Sequence, residues 1–239
     1  MASETNIHSE TARFISSMLR NNFGKGPSSV YVTIKPPFFT AHIRGFIAPM
    51  EKILLRQKEY QRVLETRDLL MQELKQEIIL ELWKKSGLDV KHLYADWDLE
   101  KESGTIFGIL LGDGEKEEDS FWPEELSKGE FIEGIDRASV LVQKKPGSTE
   151  AYWLNDRTIL VRRKEILVPI EKELIKNGVI EDLKLSKRPL ERRALKEVQL
   201  ETALKRNISE YFVDWNFDKD EGFIVLILKK DPLQEDKKQ

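Results

Sequence analysis

The chain has 239 residues, 40% hydrophobic and 34% charged, a composition that folds rather than one that stays disordered. Its 39 Lys and Arg against 42 Asp and Glu leave a formal net charge of -3, which excludes a global positive field for nucleic acid or an anionic membrane. The absence of cysteine excludes disulfides and thiol chemistry, and the longest apolar runs, residues 106–111 and 223–228, are far too short to cross a bilayer.

The N-terminus is polar, without the apolar core of a signal peptide, so the expected compartment is the cytosol, peripheral to a membrane only through a partner. Residues 9–22 predict a first helix, with Phe14, Met18 and Leu19 at helical spacing. Gly24-Lys25-Gly26-Pro27 ends it, because glycine accepts the left-handed cap and proline cannot continue the ladder. Residues 30–34 read as a strand, Pro36-Pro37 as a turn and residues 38–44 as the hairpin partner. Pro49 opens a helical segment through Leu55. The longest periodic stretch, residues 66–85, places Leu70, Leu74, Ile78 and Leu82 four apart on one face, a face that needs a sheet to cover. After a break at Ser86-Gly87, residues 90–97 and 105–111 predict a second hairpin around a polar turn.

Residues 114–129 begin with Gly114-Glu115-Lys116-Glu117-Glu118-Asp119 and read as an acidic linker, with an apolar Phe121-Trp122-Pro123 expected to dock back onto a domain. Beyond it, residues 131–135 predict a shortened first helix, 139–143 and 152–161 strands, and 189–208 a long helix with Ala194, Val198 and Leu204 facing inward. Residues 211–215 and 222–228 close the chain as strands.

The two halves repeat each other. Asp96-Trp97 lies over Asp214-Trp215 at an offset of 118, and Pro49-Met50-Glu51-Lys52 over Pro169-Ile170-Glu171-Lys172 at an offset of 120. Both offsets are about half the chain, which predicts two tandem copies of one module, residues 8–113 and 130–230. Each copy is expected to be α+β: helix, two strands, one or two helices, two strands, with the helices packed on a small, mainly antiparallel sheet.

Three features carry candidate chemistry. Asp96 and Asp98 flank Trp97 as alternate residues, a geometry that begins a cation site or an acid/base pair, and equally one that ends a strand; the second copy reads Asp214-Trp215-Asn216, which favours the turn. Lys25 and Gly26, with Arg44, could cradle an anion, although the turn follows a helix and lacks the hydroxyl of a P-loop. A basic group, Arg162, Arg163, Lys184, Lys187, Arg188, Arg192 and Arg193, is expected on the surface, where it is solvated, pairs with the acidic linker, or meets a protein, nucleic acid or lipid. Gly24, Pro27, Pro49, Trp97, Pro169, Trp215 and Gly222 are read as structural. His8, His42 and His92 lack ligand spacing, no nucleophilic triad is assembled locally, and neither a catalytic residue nor a cofactor is expected.

The stretch from Gly24 to Leu55, with Gly24-Lys25-Gly26-Pro27 and Pro49-Met50-Glu51-Lys52, and the later YADWDLEKESGTIFGILL resemble the MpsC-like family, named after a sodium-translocating, membrane-potential-generating system. The second copy is a divergent match that keeps Pro169, Glu171, Lys172, Asp214 and Gly222 but loses the Gly-Lys-Gly-Pro turn. The resemblance implies a cytosolic protein supporting a membrane ion or inorganic-carbon transport system, without itself forming a pore.

The candidate polar features do not recur intact in both copies, so the leading expectation is a non-catalytic binding or adaptor protein with a protein partner at a membrane complex. The two copies would pack pseudo-symmetrically or the chain would form a homo-oligomer, and nucleic acid is not an expected partner. An anion- or nucleotide-responsive regulator using residues 24–27 is the alternative, and a carboxylate- or metal-dependent hydrolase using Asp96 and Asp98 ranks below it.

Overall fold

The structure, a computed structural model, describes residues 4–112 and 121–230. The acidic run Gly114 to Asp119 lies outside them. The chain divides into two compact units, Met1–Glu117 and Glu118–Gln239.

In the first unit, α1 (Glu4–Phe23) turns Thr11, Ile15, Met18 and Leu19 inward. It stops at Gly24, whose φ of 75° is left-handed and whose N–H donates to the Arg20 carbonyl at 3.0 Å. A hairpin, β1 (Ser29–Lys35) and β2 (Phe38–Arg44), leads to α2 (Pro49–Arg56) and the 27-residue α3 (Tyr60–Ser86), followed by a second hairpin, β3 (Val90–Asp98) and β4 (Ser103–Leu110). The sheet is antiparallel throughout in the order β1-β2-β4-β3, so the two hairpins meet along β2 and β4. Strand alternation puts Phe39, Ala41, Ile43, Leu93, Ala95, Trp97 and Ile106 on one face, where they form a core with Ile15, Leu19, Met71, Ile78 and Leu82 of the helices. Of the predicted α3 stripe, Ile78 and Leu82 are buried while Leu70 and Leu74 are half-buried.

The second unit has the same order: α4 (Lys128–Val142), β5 (Ser148–Trp153), β6 (Thr158–Lys164), α5 (Pro169–Lys176), α6 (Ile180–Glu197), a single turn α7 (Glu201–Leu204), β7 (Ile208–Asn216) and β8 (Glu221–Leu228). Its sheet order, β5-β6-β8-β7, is that of the first. The two units are therefore tandem α+β modules of one topology, each with its own core.

Three expectations for this unit are corrected. Residues 139–143 are not a strand, and the first helix is not confined to 131–135: α4 runs to Val142. The apolar Val140-Leu141-Val142 run, with two β-branched valines, imitates a strand, but Ser127 caps the helix by accepting from the Glu130 N–H at 3.2 Å, and Phe131, Ile135, Ala138 and Ser139 bury one helical face. Residues 152–161 are not one strand but span the turn between β5 and β6, where Asn155 Oδ1 accepts from the Arg157 N–H at 2.7 Å. The long helix does not begin at Pro189. It begins at Ile180, with Pro189 exposed in its interior, and Ile208 already belongs to β7. The 120-residue offset from Tyr60 to Ile180 marks this start, whereas proline chemistry points to the wrong place. Trp122 packs back onto its own unit, its ring 5.2 Å from those of Phe131 and Trp153, while Phe121 is exposed.

Candidate functional site

The helix α2 opens with proline, whose fixed φ suits the first turn, and its third residue is Glu51. The Glu51 carboxylate accepts from the Ala48 N–H at 2.7 Å and so closes the helix start, yet the same carboxylate is buried. Burying a charge is costly unless it is paired. Its partner is Arg67 of α3, fully buried, which donates from Nε and Nη2 to the two carboxylate oxygens at 2.7 Å each, a bidentate geometry. Arg67 Nη2 also reaches the Phe46 carbonyl at 3.0 Å, and the guanidinium lies 4.7 Å from the centroids of both Phe46 and Trp97. One salt bridge thus ties the start of α2 to α3 and to the end of β3.

The second unit repeats this arrangement with different chemistry. Glu171 occupies the Glu51 position and accepts from the Val168 N–H at 3.0 Å; Lys187 occupies the Arg67 position and donates to Glu171 at 2.6 Å; Trp215 occupies the Trp97 position, its ring 5.6 Å from the ammonium. A lysine presents a compact charge rather than a planar fork, so its remaining donors find other acceptors: Gln143 at 2.6 Å and Glu191 at 3.3 Å. Glu191, one helical turn on, also accepts from Arg163 Nη2 at 2.5 Å and from Trp215 Nε1 at 3.0 Å, while Arg163 Nη1 donates to Ser139 Oγ at 2.9 Å. Burial pushes the Glu191 carboxyl upward, but the Arg163 and Lys187 charges, with hydrogen bonds from Arg163 and Trp215, outweigh it and hold the group below the usual carboxylate range. At the positions of Arg163, Glu191 and Ser139 the first unit has Ile43, Met71 and Leu19, all apolar and buried. The second copy therefore carries a polar network where the first carries hydrocarbon.

These facts correct two expectations. A polar constellation does recur in both copies, as buried carboxylate, cation and tryptophan, and Arg163, Lys187 and Arg188 are buried side chains, not surface ones. The reason for the second correction is positional: Lys187 and Arg188 fall on the inward stripe of α6 with Leu183, Glu191, Ala194 and Leu195, and Arg163 on the inward face of β6 with Val161. Arg162 pairs with Glu221 at 2.5 Å and Lys184 with Asp214 at 3.2 Å; Arg192 is half-buried and Arg193 exposed. Arg67 and Glu191 were missed because each reads as ordinary helix charge. The available signal was the spacing: Glu51 to Arg67 and Glu171 to Lys187 are both sixteen residues apart.

Asp96 is buried and accepts from the Trp97 N–H at 2.8 Å, as Asp214 does from Trp215 at 2.8 Å. Asp98 accepts from the Lys101 N–H at 3.1 Å and Asn216 from the Lys219 N–H at 3.3 Å, so acid and amide make the same strand-ending turn. Trp97 and Trp215 are held by glycines opposite them: a Cβ on Gly104 would lie 2.3 Å from Trp97, and one on Gly222 3.2 Å from Trp215 and 2.6 Å from Ile166. Lys25 and Gly26 are half-buried, Gly26 against the Arg20 side chain, and Arg44 is exposed at the end of β2 with its carbonyl accepting from the Ser28 N–H at 2.8 Å. At the matching end of α4, Gln143-Lys144-Lys145-Pro146 replaces the glycine turn, and Gln143 points at Lys187. Among the described residues no three His, Asp or Glu side chains gather as metal ligands.

The Pro-x-Glu-Lys helix start and the Asp-Trp strand end are thus the two ends of one buried ionic unit, present twice. A family model described as the MpsC Na+-translocating membrane potential-generating system matches residues 3–111 and, again, 138–230. The chain belongs to the MpsC family. Two diverged MpsC modules stand in tandem, and in each the Pro, Glu and Trp of the motif are explained by packing. No curated protein and no solved structure matches the chain. Within the described residues of this MpsC chain, no helix is long and apolar enough to cross a membrane.

Proposed function

We propose that this MpsC protein is a non-catalytic binding or adaptor protein that supports a membrane ion-transport system from beside the bilayer. The observation that carries the reading is on α3. Leu69, Leu80 and Trp83 are 59%, 48% and 57% exposed, whereas at the matching positions of the second unit stand Pro189, Leu200, which is 2% exposed, and Ala203, which is packed against the core. The shared fold does not require three large apolar side chains in water, and such a patch marks an interaction surface. The buried Glu-cation-Trp units support the same reading, since their groups are engaged in holding α2 and α3 to the sheet. Affinity capture with the tagged full chain, from membrane and cytosolic extracts at low salt, is expected to retain a stoichiometric partner; retention of none sinks the proposal.

A further inference from the structure

We propose that the exposed face of α3 is the docking surface, and that its partner is a cationic amphipathic helix. This rests on the adaptor reading and names the chemistry of its partner. Leu80 and Trp83 follow Leu69 by eleven and fourteen positions, which at the helical repeat puts all three on one side of α3, a stripe about 21 Å long. Gln72 and Gln76 lie between them, both exposed. Glu73 and Glu77, exposed and one turn apart, line one side of the stripe, and the half-buried Glu65 stands on the other near its start. The cations nearest the stripe are each beside a carboxylate: Arg62, before its start, lies 3.4 Å from Glu59, and Lys84 and Lys85, at its end, lie 3.1 and 3.2 Å from Glu81.

This pattern selects among occupants. An anionic membrane is repelled by the carboxylates beside the leucines. A second copy laid antiparallel on the same face brings Glu73 of one copy beside Glu77 of the other, like charges at the centre of the contact. A helix with apolar residues at the same spacing and Lys or Arg beside them satisfies both the stripe and its acidic border, and it buries an indole, a side chain that dominates such contacts.

The test uses the full chain and a synthetic Leu/Lys amphipathic helix of about 18 residues, with a Leu/Glu helix of the same pattern as control. The Leu/Lys helix is expected to bind one to one, with Kd weakened about tenfold or more by Leu80→Glu, by Trp83→Ala and by the pair Glu73→Lys with Glu77→Lys. Equal binding of the Leu/Glu helix, no binding, or affinity unmoved by all three variants overturns the assignment. So does a wild-type dimer in light scattering that Leu80→Glu dissociates, or co-sedimentation with phosphatidylglycerol vesicles that Trp83→Ala abolishes. If captured partner survives in Leu80→Glu and Trp83→Ala chains, the docking surface is wrong and the adaptor reading stands; if wild type captures nothing, the adaptor reading itself fails.

Discussion

Glu191 has a positive neighbour on two sides and an indole N–H on a third, and all of its partners are themselves buried. Removing it leaves the Arg163 guanidinium buried without a carboxylate, while Lys187 keeps Glu171, so Glu191→Gln is expected to cost about 3–5 kcal/mol, read as a lower urea midpoint. The first unit already contains the apolar solution. Copying it, by Arg163→Ile, Glu191→Met and Ser139→Leu together, is expected to recover most of that loss or exceed wild type; a triple variant as unstable as the single one contradicts the assignment of the cost to stranded charge. The acid response follows from the sign of the shift. The folded-state carboxyl is depressed, so its stabilisation is present above the ordinary carboxylate range and is lost as pH falls through the lower folded value. The urea midpoint of wild type should therefore drop below about pH 4, and the triple variant should drop less. Glu51 and Glu171 were legible as signature residues, but their buried partners were not, because a charge on a helix gives no local sign of which way it faces.

At the scale of elements, α3 and α6 are the same helix treated differently. Pro189 stands where α3 has Leu69, and it removes the N–H that would bond the Leu185 carbonyl while its ring faces solvent. Pro189→Ala is expected to stabilise the second unit by up to about 3 kcal/mol, measured as a raised urea midpoint; an unchanged midpoint means tertiary contacts already offset the missing hydrogen bond. α6 also ends early, and its continuation turns inward because Gly134 of α4 leaves room for Leu200, whose Cδ2 would lie 2.7 Å from a Cβ there. Period and caps made α1, α2 and both first-unit hairpins readable. They failed for α4 and α6, where a valine-rich run and an internal proline are local signals that burial of a helical face overrides.

At the scale of the whole molecule, each unit has a core drawn entirely from its own residues. Amide hydrogen exchange of Glu191→Gln is therefore expected to show faster exchange in β6, β7 and β8 than in β2 and β4; an equal rise in both sheets would mean that the cores unfold together. The sequence by itself determined the duplication, the α+β order of each module and the family, because repeats, caps and alternation are local or periodic patterns written along the chain. Only the tertiary structure decided which charges are buried and which apolar residues are left outside. Arg163 and Lys187 look like surface, and Leu80 and Trp83 look like core, until the packing of helix on sheet fixes which face of each helix meets the hydrocarbon and which meets water.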